Sequence, residues 1–150
     1  MSLGKGVMPT WVTPPSPIGK LYVTGNNVAT IFEIDLETWQ IERTFETGAG
    51  PYNLDVSPDG TRMVATYKGG DAVGFWDLGR GIETTRTPTS RPLPHGVVIT
   101  PDGEYAFVTV EGVGADPGTV EVYQVDTGER VASIDVGKQA GGIAFWKMED

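Results

Sequence analysis

The chain has 150 residues, enough for one domain of ordinary size, and its formal net charge is −9. This acidic balance, without any cluster of Lys and Arg, argues against nucleic acid as a partner. There is no cysteine, which excludes disulfides, thiolate metal sites and a cysteine nucleophile. The first residues lack the apolar core of a secretory signal, and no stretch is apolar enough for a membrane span, so we expect a soluble chain.

Residues 1–19 predict an N-terminal tail that holds one short strand, Pro9 to Thr13, followed by prolines at 14, 15 and 17. Apolar residues then alternate with polar ones and predict strands near 20–24, 28–35 and 39–45. This first unit has only three strands unless Pro9 to Thr13 supplies a fourth. No window combines a 3.6-residue period with helix caps, so we expect almost no helix.

The next unit shows the pattern most clearly, with predicted strands at 52–56, 62–67, 72–77 and 82–87. The first two strands are joined by Ser57-Pro58-Asp59-Gly60, a turn sequence in which proline fixes φ and glycine supplies the left-handed position. The fourth strand is the most polar of the four. That polarity is typical of an outer strand exposed to water.

Residues 51–66 recur 43 positions later as residues 94–109, and each copy carries a Pro-Asp-Gly turn. A repeat of this length, built from four short strands, is typical of a β-propeller blade. Fainter copies align Pro9 to Thr13 and Gly141 to Phe145 with the start of the unit. We therefore predict an all-β fold of three four-stranded antiparallel blades over 20–146, with one extra inner strand at Gly141 to Trp146 and a tail at 147–150.

The segment Lys20-Leu21-Tyr22-Val23-Thr24-Gly25-Asn26 resembles the signature of the YVTN-repeat β-propellers, with Gly25 where the name-giving Asn usually stands. The turns at 57–60 and 100–103 also match that family, and the likeness covers roughly residues 20 to 146. The resemblance implies a ring of about seven blades in one polypeptide. It also implies export in a bacterium or archaeon. Related propellers serve as surface proteins, binding scaffolds, lactonases and electron-transfer or haem domains, so it does not define one activity.

Three blades cannot close a ring, because propellers have about four to eight. An open set of blades would expose a flat apolar face at each end. We expect these faces to be covered in a longer propeller or by oligomerisation, and a homodimer would complete six blades. The extra inner strand would complete the first blade of a partner chain or mark where a longer ring closes.

The starts of the inner strands should line one mouth of the central channel. This row holds Thr10, Tyr52 and His95, and with their neighbours Trp11 and Asn53 they form the predicted ligand site. Residues 111–118 form a loop longer than a hairpin needs, which adds Glu111 and Asp116 as binding candidates.

His95 is the only histidine of the chain. It could hold a metal or haem or act as a general base, but one histidine makes a metal site only if ring-mates contribute further ligands. Asp59 and Asp102 are typical turn residues and lack the ligand pattern of a calcium loop.

No phosphate-binding loop or nucleophile elbow is present. We therefore expect a non-enzymatic scaffold, without a cofactor, that binds a protein or small ligand at the channel mouth. The alternative is a lactonase-like hydrolase, or a redox propeller that binds haem or a metal through His95.

Overall fold

The computed structural model describes residues 1–147, in which twelve strands are present and the only helix is one 3-10 turn, Asn26–Val28. The strands, in chain order, are β1 (Pro9–Val12), β2 (Lys20–Gly25), β3 (Thr30–Asp35), β4 (Gln40–Glu46), β5 (Pro51–Val56), β6 (Arg62–Tyr67), β7 (Ala72–Asp77), β8 (Ile82–Pro88), β9 (Pro94–Ile99), β10 (Tyr105–Val110), β11 (Thr119–Gln124) and β12 (Arg130–Asp135). Apart from Lys147, the predicted tail at 147–150 lies outside the described residues. Within residues 1–147 no helix has the length and apolar character that a membrane crossing requires.

The strands form three antiparallel four-stranded sheets, each built from four consecutive strands, which we call blade 1 (β1–β4), blade 2 (β5–β8) and blade 3 (β9–β12). β1 pairs with β2 through Pro9 opposite Gly25 and Val12 opposite Val23, so the N-terminal segment does supply the inner strand of blade 1. β5 lies against both β1 and β9, so the first strands form the inner row. The predicted all-β fold of three four-stranded blades is confirmed.

The blades pack face to face through two apolar clusters. Between blades 1 and 2, Phe45 meets Trp76 edge-on with ring centroids 5.5 Å apart, and both side chains are buried. Between blades 2 and 3, Phe75 packs against Tyr123 at 5.7 Å. The side chains alternate along each strand, so every strand can present apolar residues to both neighbouring blades.

A third, smaller cluster lies on the face of blade 1 that is turned away from blade 2. It consists of Val23, Phe32 and Ile34 and is covered by Val7 from the N-terminal segment. Residues before β1 therefore pack on the first blade, although the sequence predicts only a tail there.

One threonine in the second strand of each blade ties that blade to the next inner strand. Thr66 Oγ1 accepts a hydrogen bond from Asn53 N–H at 3.1 Å and donates one to His95 O at 2.8 Å. Thr24 repeats this with Trp11 N–H at 2.9 Å, and its Oγ1 lies 3.3 Å from Tyr52 O. These hydroxyls satisfy inner-strand backbone groups of two blades at once, which fixes the spacing between the blades.

Thr109, the third of these residues, accepts from Gly96 N–H at 2.9 Å and donates to Gly141 O. Gly141 therefore takes the position that Tyr52 and His95 hold on the other blades. Residues 141–147 nevertheless form no regular strand, unlike the extra strand predicted from Gly141 to Trp146. A strand requires a paired neighbour, and no further second strand lies beside this segment in the described part of the chain.

A buried glutamate joins the outer strands in blades 1 and 3. Glu33 accepts from Tyr22 Oη at 2.8 Å and from Arg43 Nε at 2.8 Å, and Arg43 Nη1 also donates to Leu78 O of blade 2. Burial and the Glu33 carboxylate raise the pKa of Tyr22, which stays a neutral donor. In blade 3, Glu121 accepts from Tyr123 Oη on its own strand and, at 3.4 Å, from Arg130 Nη1 on β12. A buried carboxylate needs such partners, because an unpaired charge would be strongly destabilising.

Candidate ligand site at the starts of the inner strands

Two rows of equivalent side chains meet where the inner strands begin. The first row holds Thr10, Tyr52 and His95, the second residue of β1, β5 and β9. The second row holds Asn26, Lys68 and Glu111, the residues that directly follow β2, β6 and β10. Antiparallel pairing places the start of an inner strand beside the end of the second strand, as the pair Pro51 and Tyr67 shows.

Four of these side chains form one cluster across the junction of blades 2 and 3, which we call the mouth cluster: Tyr52, Lys68, His95 and Glu111. The rings of Tyr52 and His95 have their centroids 4.6 Å apart with an interplanar angle of 57°. Lys68 Nζ lies 4.5 Å from the centre of the Tyr52 ring, within the range of a cation–π contact. It also lies 2.6 Å from Glu111 Oε1 in an ion pair. His95 Nε2 approaches the same carboxylate oxygen at 3.4 Å.

The mouth cluster is only partly shielded from water. The side chains of Lys68, His95 and Glu111 are 25%, 23% and 18% exposed. Burial lowers the pKa of His95, and the nearby Lys68 cation lowers it further, whereas Glu111 acts in the opposite direction. The imidazole is therefore neutral at neutral pH. The cluster as a whole holds one cation and one anion beside two aromatic rings.

Two buried polar atoms near the starts of the inner strands have no hydrogen-bond partner among the described residues. They are Nδ1 of His95 and Oδ1 of Asn53. Buried polar atoms in folded proteins are nearly always hydrogen-bonded, so unpartnered ones are sites where a water or ligand atom can bind. The His95 ring thus has one unpartnered nitrogen, Nδ1, which is itself buried, in addition to Nε2, which faces Glu111.

The other predicted site residues have different environments. Thr10 has a structural role, since its hydroxyl donates to Tyr52 O at 2.8 Å and contacts Thr24 Oγ1 at 2.9 Å. Trp11 is 44% exposed and lines an apolar hollow of about 470 Å³ on blade 1. Asp116 lies in the exposed part of the loop at 111–118, where its backbone N–H donates to Val113 O.

Lys68 is the member of the mouth cluster that sequence reasoning missed. The signal was present in the repeat, because Lys68 stands 43 residues before Glu111, the same offset that separates Tyr52 from His95. A charge of opposite sign at the equivalent position of the next unit was therefore visible in the sequence.

The opposite side of the blades carries the Pro-Asp-Gly turns, which line a cleft of about 450 Å³ together with Arg62 and Asp126. Asp59 Oδ1 accepts from Ser57 Oγ at 2.6 Å and from Thr61 N–H at 3.0 Å. Asp102 repeats this with Thr100 and with Glu104 N–H at 3.0 Å. These carboxylates cap their own turns, as predicted. Over residues 1–147, no group of three or more His, Cys, Asp or Glu side chains is arranged to hold a metal ion.

Fold and blade order place this chain in the class of β-propeller structures. Among solved structures it is similar to hydrazine synthase of Kuenenia stuttgartiensis, with a TM-score of 0.82 and 21% identity over 91% of this chain and 38% of that one. It is also similar to U3-55K, with a TM-score of 0.79 and 11% identity over 91% of this chain and 42% of that one. Both contain β-propellers. At these identities the likeness shows the fold alone, and this chain spans about two fifths of each of those chains. No family model matches the sequence, and no curated protein matches it.

Proposed function

We propose that this chain is a β-propeller scaffold of the YVTN-repeat type that binds a small ligand at the mouth cluster and forms a six-bladed ring from two copies. The observation that carries the binding proposal is the convergence of Tyr52, Lys68, His95 and Glu111 from two blades on one partly exposed site. The repeat places them there, and neither blade supplies the whole cluster. Binding and catalytic residues commonly lie on loops and strand ends of a rigid scaffold, as these do.

The charges of the mouth cluster favour one class of ligand. Lys68 and Glu111 already pair at 2.6 Å, so a ligand with a single charge would leave one of them without its partner. A ligand that carries both an acidic and a basic group can pair with each. The rings of Tyr52 and His95 add an aromatic surface beside these charges. The ligand class that fits is therefore a zwitterion such as a free amino acid, preferably one with an aromatic side chain.

Thermal unfolding of the full chain tests this proposal, with phenylalanine and glycine as probes and acetate and methylamine as single-charge controls. At ten times its dissociation constant a ligand stabilises the fold by about 1.4 kcal/mol. For a domain of this size that raises Tm by about 3 to 5 °C.

We expect this increase with the zwitterions alone. Lys68→Met should abolish it, while Asp59→Asn on the opposite side of the blades should retain it. Absence of any increase with the zwitterions, or an increase that survives Lys68→Met, would exclude this ligand class at the mouth cluster.

The geometry of His95 favours a second candidate function, a hydrolase or a metal- or haem-binding redox propeller. Its neutral, partly exposed imidazole lies 3.4 Å from the Glu111 carboxylate through Nε2, a pairing that can orient a general base or a metal ligand. Metal and haem analysis of the purified protein, together with lactone hydrolysis by wild type and His95→Ala, distinguishes the two. Bound metal or haem that is lost in His95→Ala, or hydrolysis that is lost there, supports the second candidate, and otherwise the scaffold proposal stands.

A further inference from the structure

Each blade has a leading face, turned to the next blade, and a trailing face, turned to the previous one. On blade 1, Tyr22 pairs opposite Glu33 and Ile31 opposite Phe45, and this leading face is buried against blade 2. The equivalent pairs on blade 3 are Phe107 opposite Val122 and Val120 opposite Ile134. The leading face of blade 3 is thus built as the other leading faces are, from the residues Phe107, Thr109, Val120, Val122, Ala132 and Ile134.

The leading face of blade 3 is more exposed to solvent than the equivalent face of blade 1. Phe45 is 3% exposed under blade 2, whereas Ile134, at the same position of the repeat, is 66% exposed. Phe107, Val120 and Val122 are only half-buried. An apolar sheet face of this kind is normally covered in folded proteins, because its burial contributes about 25 cal/mol per Å².

The trailing face of blade 1 shows the complementary exposure. Val12 is 53% exposed, whereas Leu54, its equivalent on blade 2, is 1% exposed against blade 1. Val12, together with Trp11 and Val23, lines the apolar hollow of about 470 Å³ on blade 1. One molecule therefore exposes the part of this trailing face that β1 forms, while Val7 of its own N-terminal segment covers Val23, Phe32 and Ile34 on the same face.

We propose that the leading face of blade 3 docks on the trailing face of blade 1 of a second copy, where it replaces the N-terminal segment around Val7, and that the reciprocal contact closes the ring. This inference rests on the two-copy ring of the proposed function. The two internal junctions define the chemistry of the occupant, since blades 2 and 3 already cover equivalent leading faces with equivalent trailing faces. Two identical junctions related by a two-fold axis give a closed assembly, the commonest symmetry of homo-oligomers.

The C-terminal segment occupies part of this interface within the single chain. Gly141 O accepts a hydrogen bond from the Thr109 hydroxyl. Ile143 packs closely on Gly96, since a Cβ added at Gly96 would lie 3.1 Å from Ile143 Cγ2. In the repeat, Gly141 is the equivalent of Thr10 in β1. The segment therefore stands in for β1 of the second copy and competes with it. Deleting residues 139–150 should strengthen association, since the place is then free.

The experiment measures the mass of the full chain by light scattering and sedimentation over a wide concentration range. We expect a monomer–dimer equilibrium in wild type. Ile134→Glu and Val12→Glu each bury a charge in the docked interface and should weaken the dimer at least about 30-fold. Val113→Glu is the matched control, because Val113 is 54% exposed in the loop at 111–118, away from both faces. All three positions are exposed in the monomer, and circular dichroism verifies that each variant folds.

A mixture of Ile134→Glu and Val12→Glu makes the test specific for head-to-tail docking. Ile134→Glu keeps an intact trailing face on blade 1, and Val12→Glu keeps an intact leading face on blade 3. These two faces can form one unaltered junction in the mixture, so the mixture should associate more strongly than either variant alone. A wild-type monomer at every concentration overturns both the ring and this interface. If the wild type dimerises and neither Ile134→Glu nor Val12→Glu weakens the dimer, the proposed interface is wrong. The two copies would then associate through another surface. Neither result bears on the mouth cluster, which the zwitterion titration tests separately.

Discussion

Replacing Thr66 with valine should remove the tie between blades 2 and 3 without changing the packing. Thr66 is fully buried, and its Oγ1 joins Asn53 N–H at 3.1 Å to His95 O at 2.8 Å. Valine has nearly the same shape as threonine, so the substitution opens no cavity. It deletes both hydrogen bonds and leaves a buried backbone N–H unpaired.

The size of the effect follows from these two bonds. Each hydrogen bond contributes about 1 kcal/mol net, and a buried donor without a partner costs about 1 to 3 kcal/mol. Asn53 is buried whereas His95 is only partly buried, so we place the full cost at Asn53 N–H. Thr66→Val should therefore lower the free energy of unfolding by about 2 to 4 kcal/mol, a large part of the about 5 to 15 kcal/mol that stabilises a typical domain.

Urea unfolding followed by circular dichroism measures this free energy. The matched control is Thr84→Val, since Thr84 is exposed and makes one bond, to Phe75 O at 3.1 Å. We expect the control to change stability by at most about 0.5 kcal/mol. A loss below about 1 kcal/mol in Thr66→Val, or an equal loss in both variants, would refute the idea that these threonines join the blades.

Two further predictions concern the buried charges and the histidine. Glu33→Leu leaves the Tyr22 hydroxyl and the partly exposed Arg43 without their carboxylate, so urea unfolding should show a loss of about 2 to 3 kcal/mol. Adding Arg43→Met should recover part of that loss, and an unchanged stability in Glu33→Leu would contradict the prediction. Because the pKa of His95 is lowered below its ordinary value of 6.5, the unfolded chain binds more protons, and stability should fall as pH drops below about 6.5. His95→Gln should show a smaller decrease of Tm over that range, and identical pH profiles would contradict this cause.

Much of the fold could be predicted because the repeat is carried by local signals. The strands β6 and β7 begin and end where alternation and turn residues predict them, and Pro9 to Thr13 pairs as the repeat alignment suggests. The segment after Gly141 shows the limit of this reasoning. It has the sequence of an inner strand, and its Gly141 carbonyl accepts from Thr109 as the carbonyls of Tyr52 and His95 accept from the equivalent threonines. It nevertheless forms no strand, because regular pairing depends on a neighbouring strand.

The candidate site could be predicted in part. The equivalent positions of Tyr52 and His95 were readable from the repeat, and Glu111 was a candidate because it begins the long loop at 111–118. The repeat aligns Lys68 with Glu111, but it does not show that the two side chains meet, since a lysine at a strand end is most often solvated. Its position over the Tyr52 ring and beside Glu111 depends on how two blades approach each other.

By itself the sequence determined the unit of this protein: four short strands, a Pro-Asp-Gly turn and an offset of 43 residues. These features act between near neighbours in the chain, where turn geometry and alternation suffice to define a structure. Only the tertiary structure decided how the blades meet. The threonine ties, the mouth cluster and the unequal exposure of Phe45 and Ile134 arise from contacts between blades. Such contacts join residues far apart in the chain, so their presence depends on packing and burial that no local pattern specifies.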